Sequence, residues 1–360
     1  TYDANGNNTS MTDPLGNFTR YTYNSLNLVS TITDPKGGVT TYAYDSKGNP
    51  VTITDPAGAA TTYAYDSKGN VTSMTDARGK ITSFAYDGYN NLTSITDQRG
   101  KVTTFTYDSV GNRLTATDPL GHTTTYAYNA LNQMTQVTDP RGYITYYTYD
   151  YQGNILNTTD ARGNPTTYAY NYRGNVTQIT DALNKITQMT YGPSGCGSGC
   201  GGAEKISTLT DALNHTTAYN YDAAGRLTQE TDPQGRRTYY DYDANGRMTS
   251  KTKPDGRTIY YTYDAAGRLT QRRYPDNTVN NFSYDANGNL TSASNASIAY
   301  NFGYDADNRL TGVTDSNTRS LTYQYDAAGN RTAMTTPDGA TTTYTYDNAN
   351  RVLNISNYSG

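Results

Sequence analysis

The chain has 360 residues, of which 34% are hydrophobic and 17% charged, and its formal net charge is −4. Average soluble domains are about 45–50% apolar and about 25% charged, so this sequence lacks the aliphatic residues of a large core. The acidic balance excludes a basic field for nucleic acid, and no apolar run reaches the roughly 18 residues of a membrane-spanning helix.

The residue types that replace the aliphatics indicate β-structure. The chain contains 38 Tyr and many Thr, residues that fit a pleated, half-buried surface and argue against disorder. Only Glu204 and Glu230 among the 32 acidic residues are Glu, and Asp is the acid typical of turns. We therefore predict an all-β protein with few helices.

A repeat of 21 residues organises the chain, and its marker is a Tyr followed in nearly every copy by Asp or Asn. A period of this length is typical of repeat architectures. A nine-residue insertion follows Tyr191, and one later step has 20 residues. The 17 markers are Tyr2, Tyr23, Tyr44, Tyr65, Tyr86, Tyr107, Tyr128, Tyr149, Tyr170, Tyr191, Tyr221, Tyr242, Tyr263, Tyr284, Tyr304, Tyr325 and Tyr346.

Each repeat contains two turn signals, which divide it into two short β-rich segments. In the copy that begins at Tyr65, the first turn is Asp66–Asn70 and the second is Asp76–Gly79. Gly or Asn closes both turns in most copies, because these residues adopt a positive φ angle with the least strain. Each repeat is therefore predicted to form one β-hairpin.

The strand that leads to each marker alternates, so the marker shares one face with the ring two residues before it. Two aromatic columns are predicted along the packed, mostly inward face, with each ring within reach of its neighbours in adjacent hairpins. Cross-strand aromatic pairs contribute roughly 0.2–1 kcal/mol each. The predicted columns include Tyr21, Tyr42, Tyr63, Phe84, Phe105, Tyr126, Tyr147 and Tyr168, and beside them Tyr44, Tyr65, Tyr86, Tyr107 and Tyr128.

The other strand of each hairpin carries two apolar residues three positions apart, such as Val71 and Met74. This spacing does not fit simple alternation and predicts a β-bulge between them. In three consecutive copies the second apolar residue is replaced by Glu230, Lys251 and Arg272. That face is expected to be solvated there or to meet a partner.

About 34 strands, spaced about 4.8 Å apart, would form a flat ribbon on the order of 160 Å long. Real sheets twist, and strongly twisted open sheets rarely exceed about ten strands without curling. The sequence therefore predicts a spiral wall, a shell or a filament.

At near-consensus copies such as Tyr221–Thr228 and Tyr284–Thr291, the repeat resembles the YD repeat of the RHS family. The resemblance spans nearly the whole chain. It implies hairpins joined into a long sheet that spirals into a hollow shell, as in bacterial toxin-complex C components, Rhs effectors and the teneurin barrel. Such shells enclose a polypeptide or present an adhesive surface.

The predicted organisation is a repeat array over 1–191, a Gly/Cys-rich insertion at 192–202 and a continued array over 203–360. We expect one continuous repeat structure, and the start without Met favours a fragment of a longer protein.

The insertion contains the only cysteines, Cys196 and Cys200. They are a candidate disulfide, which would fit an oxidising, extracellular compartment; free thiols are the alternative. A metal site is less favoured, because zinc takes four ligands and the chain has only two His.

No residue is predicted to be catalytic, cofactor-binding or metal-binding. Calcium could occupy the Asp-rich turns, but a lone Asp beside Gly or Pro more often hydrogen-bonds its own backbone. Exposed Tyr rings could stack on sugars, and Arg236–Arg237 or Arg272–Arg273 could meet acidic groups. Packed rings and a solvated face are the more usual outcomes.

These observations favour a non-catalytic structural segment of a secreted or cell-surface bacterial protein, forming the wall of a hollow β-shell. An extracellular filament or adhesin built end to end from the same repeats is the alternative. The expected partners are an enclosed polypeptide, like chains in a filament, or a surface glycan or protein receptor, with no nucleic acid.

Overall fold

The computed structural model describes residues 1–192 and 204–358, and all regular structure there is β-sheet. Strands pair antiparallel with their neighbours in the chain within a single 33-stranded sheet, which confirms the all-β prediction. In the described part of the chain, no helix is long and apolar enough to cross a membrane. The candidate disulfide Cys196–Cys200 lies outside the described residues.

The chain divides into two compact units. The first comprises Thr1–Thr103, Thr262–Arg273 and Asn277–Gly360. Its strands are β1 (Ser10–Thr12), β2 (Phe18–Tyr23), β3 (Val29–Thr33), β4 (Val39–Tyr44), β5 (Pro50–Thr54), β6 (Ala60–Tyr65), β7 (Val71–Thr75), β8 (Ile81–Tyr86), β9 (Leu92–Thr96), β25 (Leu269–Arg273), β26 (Val279–Tyr284), β27 (Leu290–Ser294), β28 (Ala299–Tyr304), β29 (Leu310–Asp315), β30 (Ser320–Tyr325), β31 (Arg331–Thr335), β32 (Thr341–Tyr346) and β33 (Val352–Tyr358).

The second unit comprises Thr104–Tyr261 and Tyr274–Asp276. Its strands are β10 (Val102–Tyr107), β11 (Arg113–Thr117), β12 (Thr123–Tyr128), β13 (Met134–Thr138), β14 (Ile144–Tyr149), β15 (Ile155–Thr159), β16 (Pro165–Tyr170), β17 (Val176–Thr180), β18 (Ile186–Gly192), β19 (Lys205–Thr210), β20 (Thr216–Tyr221), β21 (Leu227–Thr231), β22 (Arg237–Tyr242), β23 (Met248–Thr252) and β24 (Thr258–Tyr263), the first and last of which begin or end just across the boundary.

The turns form as the sequence predicts. At the first turn of the Tyr65 copy, the amide of Gly69 donates to the carbonyl of Asp66 at 3.2 Å, and the amide of Asp66 donates to the carbonyl of Asn70 at 3.0 Å. Gly69 has a φ of 91°, and Asn27 closes its own turn with a φ of 60°. A three-residue loop with a left-handed closing residue is a common hairpin connection.

The predicted bulge is also confirmed. Tyr65 pairs with Val71, but the preceding Ala64 pairs with Ser73, so Thr72 has no opposite residue. The same shift precedes the markers of other hairpins. The extra residue is the reason that Val71 and Met74 share a face despite their odd spacing.

The sheet has almost no fully buried side chains. Among the described residues only Ser250, Asp315 and Ala333 are buried, at 6%, 7% and 9% exposure, and no side chain is below 2%. The marker face is half-buried and the opposite face is more exposed, as the alternating pattern of β4 shows. The fold therefore depends on backbone pairing and rows of half-buried side chains, with no enclosed apolar core in this part of the chain.

Candidate functional site

The predicted aromatic columns occupy one face of the sheet, but their rings are not direct cross-strand partners. Tyr42 lies opposite Ile53, and Tyr63 lies opposite Met74. The register sets a residue of the returning strand opposite each ring, so neighbouring rings of a column lie two strands apart. In most copies that residue is the second apolar residue of the returning strand, although Thr158 lies opposite Tyr147.

The marker phenols link successive hairpins. Tyr44 donates to the carbonyl of Val29 at 2.7 Å, and Tyr170 donates to the carbonyl of Ile155 at 2.7 Å. The same bond reaches back 15 residues from most markers. This bond requires a hydroxyl at the marker, whereas the ring position two residues earlier accepts Phe84 and Phe105.

The copies with charged residues in place of the apolar partner form a local polar cluster. Tyr219 lies opposite Glu230, and Tyr240 lies opposite Lys251. The Tyr240 hydroxyl donates to Oε2 of Glu230 at 3.1 Å, and Nζ of Lys251 lies 5.3 Å from the ring centre. Burial, together with the Glu230 charge, raises the pKa of Tyr240 to about 12.

The turn aspartates bond their own backbone, as predicted. Oδ1 of Asp66 accepts from the amides of Lys68 and Asn70, and Oδ2 accepts from Nδ2 of Asn70. The Asn70 side chain, with the backbone amides, lowers the pKa of Asp66. In the part of the chain that is described, no group of three or more His, Cys, Asp or Glu could hold a metal ion.

A further site lies within the first unit, where the second turns of early hairpins meet the first turns of late ones. Lys36 Nζ lies 3.1 Å from Oδ2 of Asp285, and Asn287 Nδ2 donates to Oδ2 of Asp34 at 2.9 Å. The amide of Ala57 donates to Oδ1 of Asp307 at 3.2 Å. We call this set of turn-to-turn contacts the seam.

The seam continues through two arginines. Arg78 Nη1 lies 3.8 Å from Oδ2 of Asp326, and Arg78 also donates to Asn350. Arg99 Nε lies 3.8 Å from Oδ2 of Asp347. Each of these contacts joins turns twelve repeats apart: repeat two meets fourteen, three meets fifteen, four meets sixteen and five meets seventeen.

The electrostatics of the seam are favourable at neutral pH. Burial would raise the pKa of Asp285, but hydrogen bonds from Asn289 and the nearby Lys36 outweigh burial and keep this pKa below its ordinary value. Asp285 therefore carries its charge beside the Lys36 ammonium. Partly buried, charge-assisted bonds of this kind are stronger than exposed ion pairs.

Small residues line the space between the facing turns. A cleft of about 580 Å³ has Pro56 and Ala77 on the early side and Ala306, Ala327 and Ala328 on the late side. Such residues let two turns approach closely. By contrast, the first turns of earlier copies carry large exposed residues such as Leu26, Tyr89 and Tyr151.

Sequence reasoning missed the seam. The available signal was the change in the first turns from large residues in the early copies to Ala in the late copies, as in Asp326–Gly329. The same Asp-Ala-Ala-Gly turn also occurs outside the seam, at Asp222–Gly225, so small turn residues permit close packing without marking it. The two sides of the seam are separated by about 250 residues, which no local pattern connects.

Comparison of the sequence with protein-family models shows which family the chain belongs to. The RHS Repeat model matches 2–39, 23–60, 44–81, 65–101, 86–123, 107–144, 149–195, 205–238, 240–279, 304–341 and 332–357. The chain belongs to the RHS-repeat family. Among curated proteins compared by sequence, none matches this RHS-repeat chain.

Solved structures share the fold of this RHS-repeat chain. The crystal structure of TcdB2-TccC3-Cdc42 matches with a TM-score of 0.81 and 15% identity, over 100% of this chain and 23% of that one. TcdB2-TccC3 without its hypervariable C-terminal region matches with a TM-score of 0.78 and 16% identity, over 100% and 23%. The chain thus spans about a quarter of the length of these structures, and at this identity the likeness shows the fold alone.

Proposed function

We propose that this RHS-repeat chain is a non-catalytic segment of the wall of a hollow β-shell, in a secreted or cell-surface bacterial protein that encloses a polypeptide. The observation that carries the proposal is the seam. Hairpins twelve repeats apart lie turn against turn, through Lys36–Asp285, Arg78–Asp326 and Arg99–Asp347. A wall needs such lateral contacts between distant hairpins, whereas a filament that grows strand by strand does not.

The chemistry of the sheet supports a container more than a catalyst. Its strands are rich in Thr and Tyr, whose hydroxyls are uncharged at neutral pH. The polar side chains that could do chemistry are committed elsewhere. Marker phenols bond backbone carbonyls, and turn aspartates bond their own amides.

Likeness in fold to TcdB2-TccC3 is consistent with this role. Those structures hold TcdB2 together with TccC3, and one of them is without a hypervariable C-terminal region. We infer by analogy that a longer protein carrying this segment has an enclosed polypeptide as its partner.

Negative-stain electron microscopy of the purified chain tests the proposal. Compact hollow particles or curved wall fragments on the order of 100 Å across, as expected from coiling this many strands, would support it. Long uniform fibres would contradict it and favour the extracellular filament.

A pair of double variants tests the role of the seam in the particles. Replacement of both Arg78 and Arg99 by Ala should open the particles. Arg141 and Arg162 stand in matching turns of the second unit, and replacement of both by Ala should leave the particles intact.

A further inference from the structure

One end of the second unit carries a row of exposed apolar side chains. The first turns of four consecutive hairpins, which join β10 to β11, β12 to β13, β14 to β15 and β16 to β17, lie at the same end of their strands. These turns are 108–112, 129–133, 150–154 and 171–175. Each has a large exposed residue at its tip. These four residues, which we call the tip row, are Val110, Leu131, Tyr151 and Tyr172, with exposed fractions of 68%, 73%, 91% and 77%.

The turns do not need large apolar side chains in order to form. The amide of Val110 donates to Oδ1 of Asp108 at 3.0 Å. The corresponding amide of Lys68 donates to Oδ1 of Asp66 at 2.8 Å, in a turn whose tip is Ser67 and Lys68. Single exposed apolar residues are common on protein surfaces, but a continuous set of them marks an interaction site.

The tip row is long and narrow. Successive first turns are two strands apart, about 9.6 Å by strand spacing, so the four tips span about 29 Å. A stable protein–protein interface takes about 800 Å² and about 20–30 residues from each partner. Four residues in single file are too few for a second copy of the chain or another folded protein. A lipid surface accepts such a row, because it needs no complementary shape and binds in proportion to the apolar area that enters it.

The four turns are close to neutral in charge. They contain two acids, Asp108 and Asp150, and one base, Arg173, whose Nε lies 3.4 Å from Oε1 of Glu204. Both Asp carboxylates accept hydrogen bonds from amides of their own turns. An acidic peptide or a nucleic acid would need several cations at this end of the unit. The charge balance therefore favours a zwitterionic lipid headgroup.

The residue that starts each first turn supports the same partner. It is Asp in most copies and Asn in three. Oδ1 of Asn129 still accepts from the amide of Leu131 at 2.9 Å, so this turn keeps its bonds and loses only the charge. All three Asn turns have a large exposed apolar tip, in the pairs Asn24 with Leu26, Asn129 with Leu131 and Asn171 with Tyr172. Absence of the carboxylate lowers the free-energy cost of bringing these turns against lipid.

We propose that the tip row binds the surface of a lipid bilayer with zwitterionic headgroups. Val110 and Leu131 enter the boundary between headgroups and acyl chains. The rings of Tyr151 and Tyr172 lie at the headgroup level, where amphipathic rings are enriched. Tip amides are bonded within their turns, as an apolar environment requires. The contact holds the chain on a membrane surface and needs no membrane-spanning segment.

The opposite end of the same hairpins provides a matched comparison. Its second turns expose Leu120 and Leu183, each 78% exposed. The two turns between them carry the exposed Arg141 and Arg162. Charged residues thus interrupt the apolar residues at that end, and no continuous row forms there.

Co-sedimentation of the full 360-residue chain with phosphatidylcholine vesicles tests the proposal. The tip variant combines Leu131→Asn, Tyr151→Ala and Tyr172→Ala. Asn245 and Ala244 occupy the corresponding positions of another copy, so the variant should fold, which circular dichroism checks.

The control variant combines Leu120→Gln and Leu183→Gln. Gln234 occupies the corresponding position of another copy. This variant removes equally exposed apolar residues from the same unit, but from the end opposite the tip row.

We expect the parent chain to sediment with the vesicles and the tip variant to bind at least about tenfold more weakly, because affinity scales with the apolar area that enters the lipid. The control variant should bind like the parent. Absence of binding by the parent, or an equal loss in both variants, would overturn the proposal. Binding that requires phosphatidylserine and disappears in salt would also overturn it and indicate electrostatic attraction.

The chain contains no Trp, so a single introduced Trp reports the contact directly. Leu131→Trp and Leu120→Trp place the ring at the two ends of the hairpins. Vesicles should shift the emission of Leu131→Trp to shorter wavelength, and brominated lipid should quench it, while Leu120→Trp should show neither effect. The same response at both ends would contradict binding through the tip row.

Sedimentation velocity without vesicles tests a second copy of the chain as the occupant. We expect the parent and the tip variant to sediment alike. Concentration-dependent association of the parent that is lost in the tip variant, together with no binding to vesicles, would overturn the lipid assignment and make the row an interface between copies.

Discussion

The phenol of Tyr149 donates a hydrogen bond of 2.6 Å to the carbonyl oxygen of Met134, which lies 15 residues earlier on the preceding strand. Met134 is the residue paired with the previous marker, Tyr128, at the bulge. Each marker therefore stabilises the site where the hairpin before it is irregular. Residues 1–192 and 204–358 enclose no apolar core, so such bonds help to hold consecutive repeats in one arrangement.

Tyr149→Phe should lower the free energy of unfolding by roughly 0.5–1.5 kcal/mol, the net value of one hydrogen bond. Tyr147→Phe is the matched control, because Tyr147 lies on the same strand and face, and Phe84 and Phe105 occupy its position in other copies. Urea unfolding followed by circular dichroism measures both. Equal effects of the two variants would show that the marker bond contributes nothing specific.

Arg78→Ala should destabilise the first unit by roughly 1–3 kcal/mol, because it removes charge-assisted bonds to the late turns. Arg78 stands in the turn Asp76–Gly79, and Arg162 stands in the identical turn Asp160–Gly163. Arg162 is exposed, so Arg162→Ala should change stability by less than about 0.5 kcal/mol. Thermal melts of both variants measure the difference, and similar shifts would argue against the seam.

Ala328→Tyr should also open the seam, because a large ring does not fit between the facing turns. Overpacking of this kind typically costs about 1–3 kcal/mol. Ala224 occupies the same position of an identical Asp-Ala-Ala-Gly turn and is exposed, so Ala224→Tyr is the control. The turn itself accepts Tyr, as Tyr89 shows at the corresponding position. Melting shifts of equal size would mean that no surface packs against Ala328.

Tyr240 should titrate at about pH 12. Its native pKa is raised, so the protonated phenol contributes stability that is complete below the unfolded value near 10 and is lost as the pH rises towards 12. NMR of tyrosine-labelled protein, assigned with Tyr240→Phe, follows the titration. Glu230→Gln should bring the pKa down, since the Glu230 charge is the second cause of the shift after burial. A value near 10 in the parent protein would contradict the contact.

The turn aspartates make the fold sensitive to acid. The native pKa of Asp66 is lowered, chiefly by the Asn70 side chain, so its contribution to stability is complete above the unfolded value of about 3.9. It is lost as the pH falls through the lower native value. Asp66→Asn keeps the acceptor oxygen, as Asn24 and Asn129 do in other copies. The stability difference between parent and variant should shrink from pH 7 to pH 2 in thermal melts; a constant difference would contradict this linkage.

The hairpins, the closing residues of the turns and the bulge could all be predicted from the sequence. Each depends on contacts within about 21 residues: Gly69 and Asn27 adopt positive φ locally, and the spacing of Val71 and Met74 reports the extra residue Thr72. Because the repeat occurs 17 times, the same local signals recur and support one another.

The cross-strand partners of the aromatic rings could not be predicted from the sequence in the same way. Alternation places Tyr42 and Tyr44 on one face, but only the register with the returning strand puts Ile53 opposite Tyr42.

The sequence by itself determined the 21-residue hairpin, the strand faces and the membership of a repeat architecture. Only the tertiary structure decided that Asp34 meets Asn287 and that Arg78 meets Asp326. The partner of a turn depends on twist and coil summed over all the strands between them. A small change per strand, too small to appear in any local pattern of residues, would move the seam to a different pair of repeats.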